Sequence, residues 1–166
     1  MAVPARNASA ERIVASARTF HVTSSTFGKR FLLQSDCATD LFIRVLYECR
    51  AKGLFRLHEF VVMPNHFHVL ITVGANTSIE QAVQLIKGRF SFRAGKELGL
   101  RSPVWQRGFS EARVFNAIAA ERARLYIWDN PVRAGLVLQP SEYRFSSACA
   151  GYALDPLPEF LRRVRA

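Results

Sequence analysis

Two histidines, His66 and His68, stand one residue apart in the run VVMPNHFHVLITV at positions 61–73. Residues two apart in a β-strand point to the same side. Both imidazoles therefore leave one face, followed by Leu70 and Thr72, while Phe67, Val69, Ile71 and Val73 form an apolar opposite face. Two neutral imidazoles so placed can ligate one divalent ion. The competing reading is a pair of polar residues on a solvated sheet face. The Pro64–Asn65 break just ahead of the pair, inside an otherwise apolar run, favours the metal site. His21 and His58 fall on other strands and read as ordinary strand histidines.

A divalent ion with open positions polarises phosphoryl oxygens. The charge points the same way: 23 Lys and Arg against 13 acids give a formal +10, the electrostatic footprint of a nucleic-acid partner. An attacking group is found at Tyr126 in RLYIWDNP, since tyrosine forms covalent intermediates when a metal or base activates it. Asn130 lies four residues later, on nearly the same helical face, and its amide oxygen would be a third, hard ligand. Two alternatives stay open. Tyr126 could be a core aromatic, with Ala119 and Ala123 preceding it at helical spacing. Asn130 could be only an N-cap, because Pro131 follows it.

The elements that must position these residues are legible from periodicity. Residues 18–26 alternate, with Phe20 and Val22 on one face and His21 and Thr23 on the other. Residues 36–53 read as a helix with Leu41, Val45 and Cys49 in register and Gly53 as its stop. Residues 54–63 and 66–73 read as a hairpin, with Phe55, Leu57 and Glu59 alternating against Arg56, His58 and Phe60. Ser78 and Gln81 form a capping box for a helix over 79–99. Residues 102–115 read as a fourth strand or extended segment and 116–130 as a third helix. Asn130 and Pro131 would then open a further helix as N-cap and first turn. The order is β-α-β-β-α-β with a C-terminal helix carrying the tyrosine, an α+β, ferredoxin-like antiparallel sheet with helices on one face.

One chain of 166 residues suits one domain. Residues 1–17 read as a loosely ordered arm, 18–150 as the catalytic domain, and 151–166 as a basic tail. No apolar run is long enough for a membrane helix. Three cysteines without a C-x-x-C support neither a disulfide framework nor a zinc site, and the expected setting is cytoplasmic and nucleoid-associated.

Four stretches, VVMPNHFHVLI, QLIKGRFSFRAGKELG, VWQRGFSEARV and YIWDNPVRAGLV, occur in that order. Together they resemble the REP-associated tyrosine transposases, relatives of the single-tyrosine transposases of the HUH superfamily, over residues 18–150. The resemblance implies a ferredoxin-like core with His66 and His68 as metal ligands and Phe67 between them. It implies Tyr126 as the nucleophile, Asn130 as the residue completing a Mg²⁺ or Mn²⁺ site, and a 5′-phosphotyrosine intermediate with release of a 3′-hydroxyl. Single-stranded DNA bearing palindromic hairpins would be the substrate. A homodimer or a monomer is compatible with it. A DNA-binding module that recognises such repeats without turnover is the alternative. Trp128 stands where a His or other polar residue is common in relatives, and Ala112 where a polar residue is expected. Lys87, Arg89, Arg93, Arg107, Arg113, Arg122 and Arg133 are the candidate phosphate contacts, and Trp128 a candidate stacking platform for unpaired bases.

Overall fold

The alternating runs become one four-stranded antiparallel sheet. The structure is a computed structural model describing residues 17–162. Strand β1 spans Arg18–Ser25, β2 Arg56–Met63, β3 His66–Val73 and β4 Ser110–Val114, in the spatial order β2-β3-β1-β4. Helix α1 (Asp36–Ala51) follows β1, α2 (Ile79–Leu98) follows β3, and α3 (Ala117–Arg133) follows β4. This is the ferredoxin-like order that the sequence predicts. Residues 1–16 of the proposed 1–17 arm and residues 163–166 of the basic tail lie outside the described residues.

Each helix begins where a side-chain oxygen can take an otherwise unpaired amide. Ser35 caps α1 through the Ala38 amide, Ser78 and Gln81 form the expected capping box on α2, and Asn116 accepts from the Ala119 amide at the start of α3. Gly53, at φ 75°, follows the end of α1 in the left-handed conformation that a glycine adopts without strain.

Both faces of the sheet are covered. Phe67, Val69 and Ile71 pack with Phe42, Leu46, Ile86 and Phe90 of α1 and α2 in the larger core. On the other face Leu70, Val61 and Met63 pack with Ala120, Ala123 and Ile127 of α3. The small alanines let α3 approach the sheet closely. The His66–His68 face is therefore not solvated, and His68 is 3% exposed.

Two local expectations need correction. In β2 the strict alternation fails, because the pairing with β3 shifts between Leu57 and Glu59. The extra residue, His58, forms a bulge, so Leu57 and Phe60 face α1 and α2 while Glu59, Val61 and Met63 face α3. At Asn130 no new helix starts. α3 runs through Pro131 to Arg133, since a proline this close to a C-terminus forfeits only one intrahelical bond. Asn130 thus stays one turn beyond Tyr126 on a single helix.

The outer edge of β2 is covered by the chain's own C-terminal segment. Val62 donates to the Phe145 carbonyl and Ser147 to the Phe60 carbonyl, both at 2.9 Å. Further on, Asp155 receives Arg50 Nε and Nη2 at 2.8 and 2.7 Å and the Leu57 amide at 2.8 Å. The Arg50 hydrogen bonds, aided by the Leu57 amide, hold the Asp155 carboxyl down at about 2. A carboxyl whose pKa falls on folding contributes stability above its unfolded value near 3.8, and that contribution disappears as pH drops through about 2. Asp155→Asn is expected to cost about 1 kcal/mol at pH 7, the depression being discounted for the water that still reaches the pair. The cost vanishes near pH 2. Thermal melts of both proteins across pH 2–7 check this, and a pH-independent difference would refute it.

Candidate active site

The site is built on the sheet face beneath α3. The β1–β3 register sets Thr23 directly opposite His68 and Ser25 opposite His66. His21, two residues before Thr23, lies diagonal to His68 on the same face.

The hydrogen bonds orient both metal-ligand candidates alike. His66 Nδ1 meets Asn65 Oδ1 at 2.7 Å, and His68 Nδ1 meets Thr23 Oγ1 at 2.8 Å. Each Nδ1–H thus has an oxygen to donate to, which leaves both Nε2 lone pairs outward. Such oxygen partners fix the tautomer a metal-ligating histidine needs. His68 Nε2 lies 3.0 Å from the Asn130 side-chain amide nitrogen. Turned by 180° about its last torsion, the same amide presents its oxygen to His68 Nε2. Among the described residues no group of three His, Cys, Asp or Glu side chains is arranged to hold a metal ion. The set here is two imidazoles and an amide, a mixed N/O donor set that fits a divalent cation.

The electrostatics suit the same reading. Burial, then the neighbouring His66, His21 and Arg133, push His68 down to about 3. Burial also lowers His66 and His21. These rings are neutral at physiological pH, the state in which an imidazole binds metal.

Tyr126 is 43% exposed, which excludes the core-aromatic reading. Its ring centroid lies 5.3 Å from that of His68 and 5.6 Å from that of His21, edge-on to both. The Arg133 guanidinium sits 4.2 Å from the ring centroid. Asn130 is 8% exposed and caps no helix, since α3 continues through it. Tyr126, His66, His68 and Asn130 therefore converge within one chain.

Sequence reasoning missed His21, whose Nε2 lies 3.1 Å from His68 Nδ1. Its only signal was the alternation shared with Thr23, and that becomes informative once the register is known. It also missed Glu59. This buried carboxylate accepts from Trp128 Nε1 at 2.8 Å and from Ser147 Oγ at 2.5 Å, and burial pushes its pKa up. Glu59 thereby ties α3, between Tyr126 and Asn130, to β2 and the C-terminal segment.

The candidate phosphate contacts divide between the two faces. Arg122 and Arg133 flank Tyr126. Trp128 turns its indole N–H to Glu59, and its ring lies under Arg124 at 4.9 Å. Lys87, Arg89 and Arg93 belong to α2, across the sheet. Lys87 Nζ donates to the Gln106 and Gly108 carbonyls, while Arg89 and Arg93 pair with Glu48. Arg113 lies opposite Phe20 in the β1–β4 register and packs over it and over Phe115. Arg107 is exposed in the loop before β4. The structure does not bring these five together with Tyr126.

Thr23 offers a direct check on the metal reading. Thr23→Val keeps the shape and removes the oxygen that fixes the His68 tautomer, so Mn²⁺ affinity is expected to fall about 10–100-fold. Isothermal titration measures it, and unchanged affinity would remove Thr23 from the site.

Comparison with known proteins gives a consistent result. Residues 15–130 match the model of the IS200-like transposase family. No curated protein matches significantly. A REP-associated tyrosine transposase solved bound to a REP hairpin superposes with a TM-score of 0.70 at 21% identity, over 95% of this chain and 96% of that one. A candidate transposase from Deinococcus radiodurans R1 superposes with a TM-score of 0.53 at 18% identity, over 75% of this chain and 95% of that one. At these identities the two structures show a shared fold. With its family model matched over most of its length and its fold shared with transposases of known structure, the chain belongs to the IS200-like transposase family.

Proposed function

We propose that the protein is a metal-dependent single-stranded DNA transesterase of the REP-associated type, acting on palindromic hairpins through a 5′-phosphotyrosine. The observation that carries this reading is the convergence of Tyr126, His66, His68 and Asn130 beneath α3. His66 and His68, through Nε2, and Asn130, through its amide oxygen, would hold Mg²⁺ or Mn²⁺. When bound, the ion supplies Lewis-acid polarisation of the scissile phosphate.

The chain's own groups perform the remaining tasks. The Tyr126 phenol oxygen attacks phosphorus and gives up its proton. The bond from phosphorus to the 3′-oxygen breaks, and that oxygen leaves as a 3′-hydroxyl after taking up a proton. One phosphodiester replaces another, so no nucleotide cofactor is consumed. Attack by a 3′-hydroxyl on the phosphotyrosine reverses the exchange and frees Tyr126. His21 and His68 hold the phenol ring edge-on, and Arg133 places positive charge where the phosphate must arrive. Arg122 and Arg133 serve as phosphate contacts near the reacting atoms. Lys87, Arg89, Arg93, Arg107 and Arg113 contribute to the positive field that attracts DNA.

The deciding experiment incubates the full chain with hairpin oligonucleotides, with Mn²⁺ or Mg²⁺ added or withheld, and resolves the products under denaturing conditions. The reading expects a metal-dependent adduct whose mass equals protein plus the fragment 3′ of the cut. Cleavage without attachment would instead indicate hydrolysis by water. Binding without cleavage would leave the DNA-binding module.

A further inference from the structure

On the outward side of α3, next to Tyr126, lies a groove of about 450 Å³ whose Leu125, Trp128, Asp129 and Pro140 walls none of the steps above uses. We infer that this groove holds the nucleobase of the nucleotide that stays attached to Tyr126, the one immediately 3′ of the cut. The inference rests on the transesterase reading and adds a substrate subsite to it.

The walls suit a flat apolar ring. Leu125 is 52% exposed between the charged Arg122 and Asp129, and Pro140 and Trp128 complete the lining. An exposed leucine alone needs no explanation, but this one faces a concavity continuous with the candidate nucleophile. The rims suit the phosphate of the same nucleotide. Arg122 stands on one side, and on the other the Arg133 guanidinium lies over the Tyr126 ring. The Asp129 carboxylate, 3.3 Å from Arg133 Nε, supplies an acceptor for a base N–H.

Reaction geometry selects which nucleotide enters. In phosphoryl transfer the attacking and departing oxygens stand roughly in line on opposite sides of phosphorus. The nucleotide that departs with the 3′-oxygen is therefore carried away from Tyr126. The nucleotide that keeps the 5′-phosphate hangs from an equatorial oxygen, beside the tyrosine and its helix. A groove on the tyrosine's own helix is within reach of that base.

The minimal probe follows from this choice and requires neither turnover nor a known target. Thymidine and deoxyguanosine 5′-monophosphates are titrated into isotopically labelled full-length protein, against deoxyribose 5-phosphate and the corresponding 3′-monophosphates. Amides over residues 122–133 should shift with the 5′-nucleotides, which should bind at least about fivefold more tightly than deoxyribose 5-phosphate, as a stacked base predicts. Leu125→Ala should abolish that advantage. Equal binding of deoxyribose 5-phosphate, preference for the 3′-isomers, or shifts confined to other elements would each overturn the inference. Concentration-dependent shifts of the same amides without nucleotide would also overturn it, by assigning the groove to a second copy. The two ideas fail separately. An adduct with hairpin DNA but no base preference removes the subsite alone, whereas a base preference with no adduct keeps a 5′-nucleotide-binding groove but removes the transesterase and, with it, the assignment of that base to the position 3′ of the cut.

Discussion

Tyr126→Phe is expected to abolish covalent attachment to hairpin DNA while leaving DNA affinity within about twofold of the parent. The substitution deletes one oxygen. The ring keeps its edge-on contacts with His21 and His68 and its place beneath Arg133, so the surface that meets DNA is preserved. Attack on phosphorus has no substitute in the pocket. The His66 and His68 imidazoles are occupied by Thr23, Asn65 and Asn130 and the His21 Nε2 by His68 Nδ1, and none would leave a stable phosphodiester. The rate of adduct formation should therefore fall by at least about four orders of magnitude, as when a nucleophile is removed from other covalent enzymes. Quantifying adduct by denaturing electrophoresis beside a filter-binding isotherm separates the two effects. An adduct persisting in the phenylalanine protein would place the nucleophile elsewhere.

The second large effect is expected at His68. His68→Ala removes the more deeply buried imidazole and the group on which the Asn130 amide and Thr23 hydroxyl are oriented. Mn²⁺ affinity should fall by more than about 100-fold and adduct formation by about a thousandfold or more, with DNA binding retained. Chelation of the parent protein should reproduce the loss of attachment, and restoring Mn²⁺ should rescue the parent but not the variant. Because His68 is neutral at physiological pH, its loss does not alter the charge that attracts DNA. A His68→Ala protein with full metal affinity and full adduct yield would remove the histidine pair from the mechanism.

The sequence disclosed the order of elements along the chain because its apolar runs carry strand or helix periods, and the caps at Ser78 and Gly53 mark element ends through local chemistry. The candidate site was legible for the same reason. His66 and His68 are related by strand geometry, and Tyr126 and Asn130 by helix geometry. What stayed hidden depends on relations between elements. His21 joins the site only because β1 lies antiparallel to β3 in a register that sets Thr23 against His68. Glu59 turns toward α3 only because the bulge at His58 reverses the facing of half of β2. The burial of the histidine face follows from α3 folding back over it, and no local pattern encodes that. The alternative reading of Asn130 as a cap fails because the rule that a residue before proline leaves the helix is statistical, and here the packing of Ile127 and Asn130 against the sheet outweighs it.

Because the phenol and the imidazoles come from one polypeptide, no residue has to be borrowed from a neighbouring copy. Under the transesterase proposal, each molecule would be a self-sufficient catalytic unit whether or not it associates. In a mixed population of intact and inactive molecules, output should follow the intact fraction in direct proportion and not its square, so a defective copy would dilute its neighbours without poisoning them.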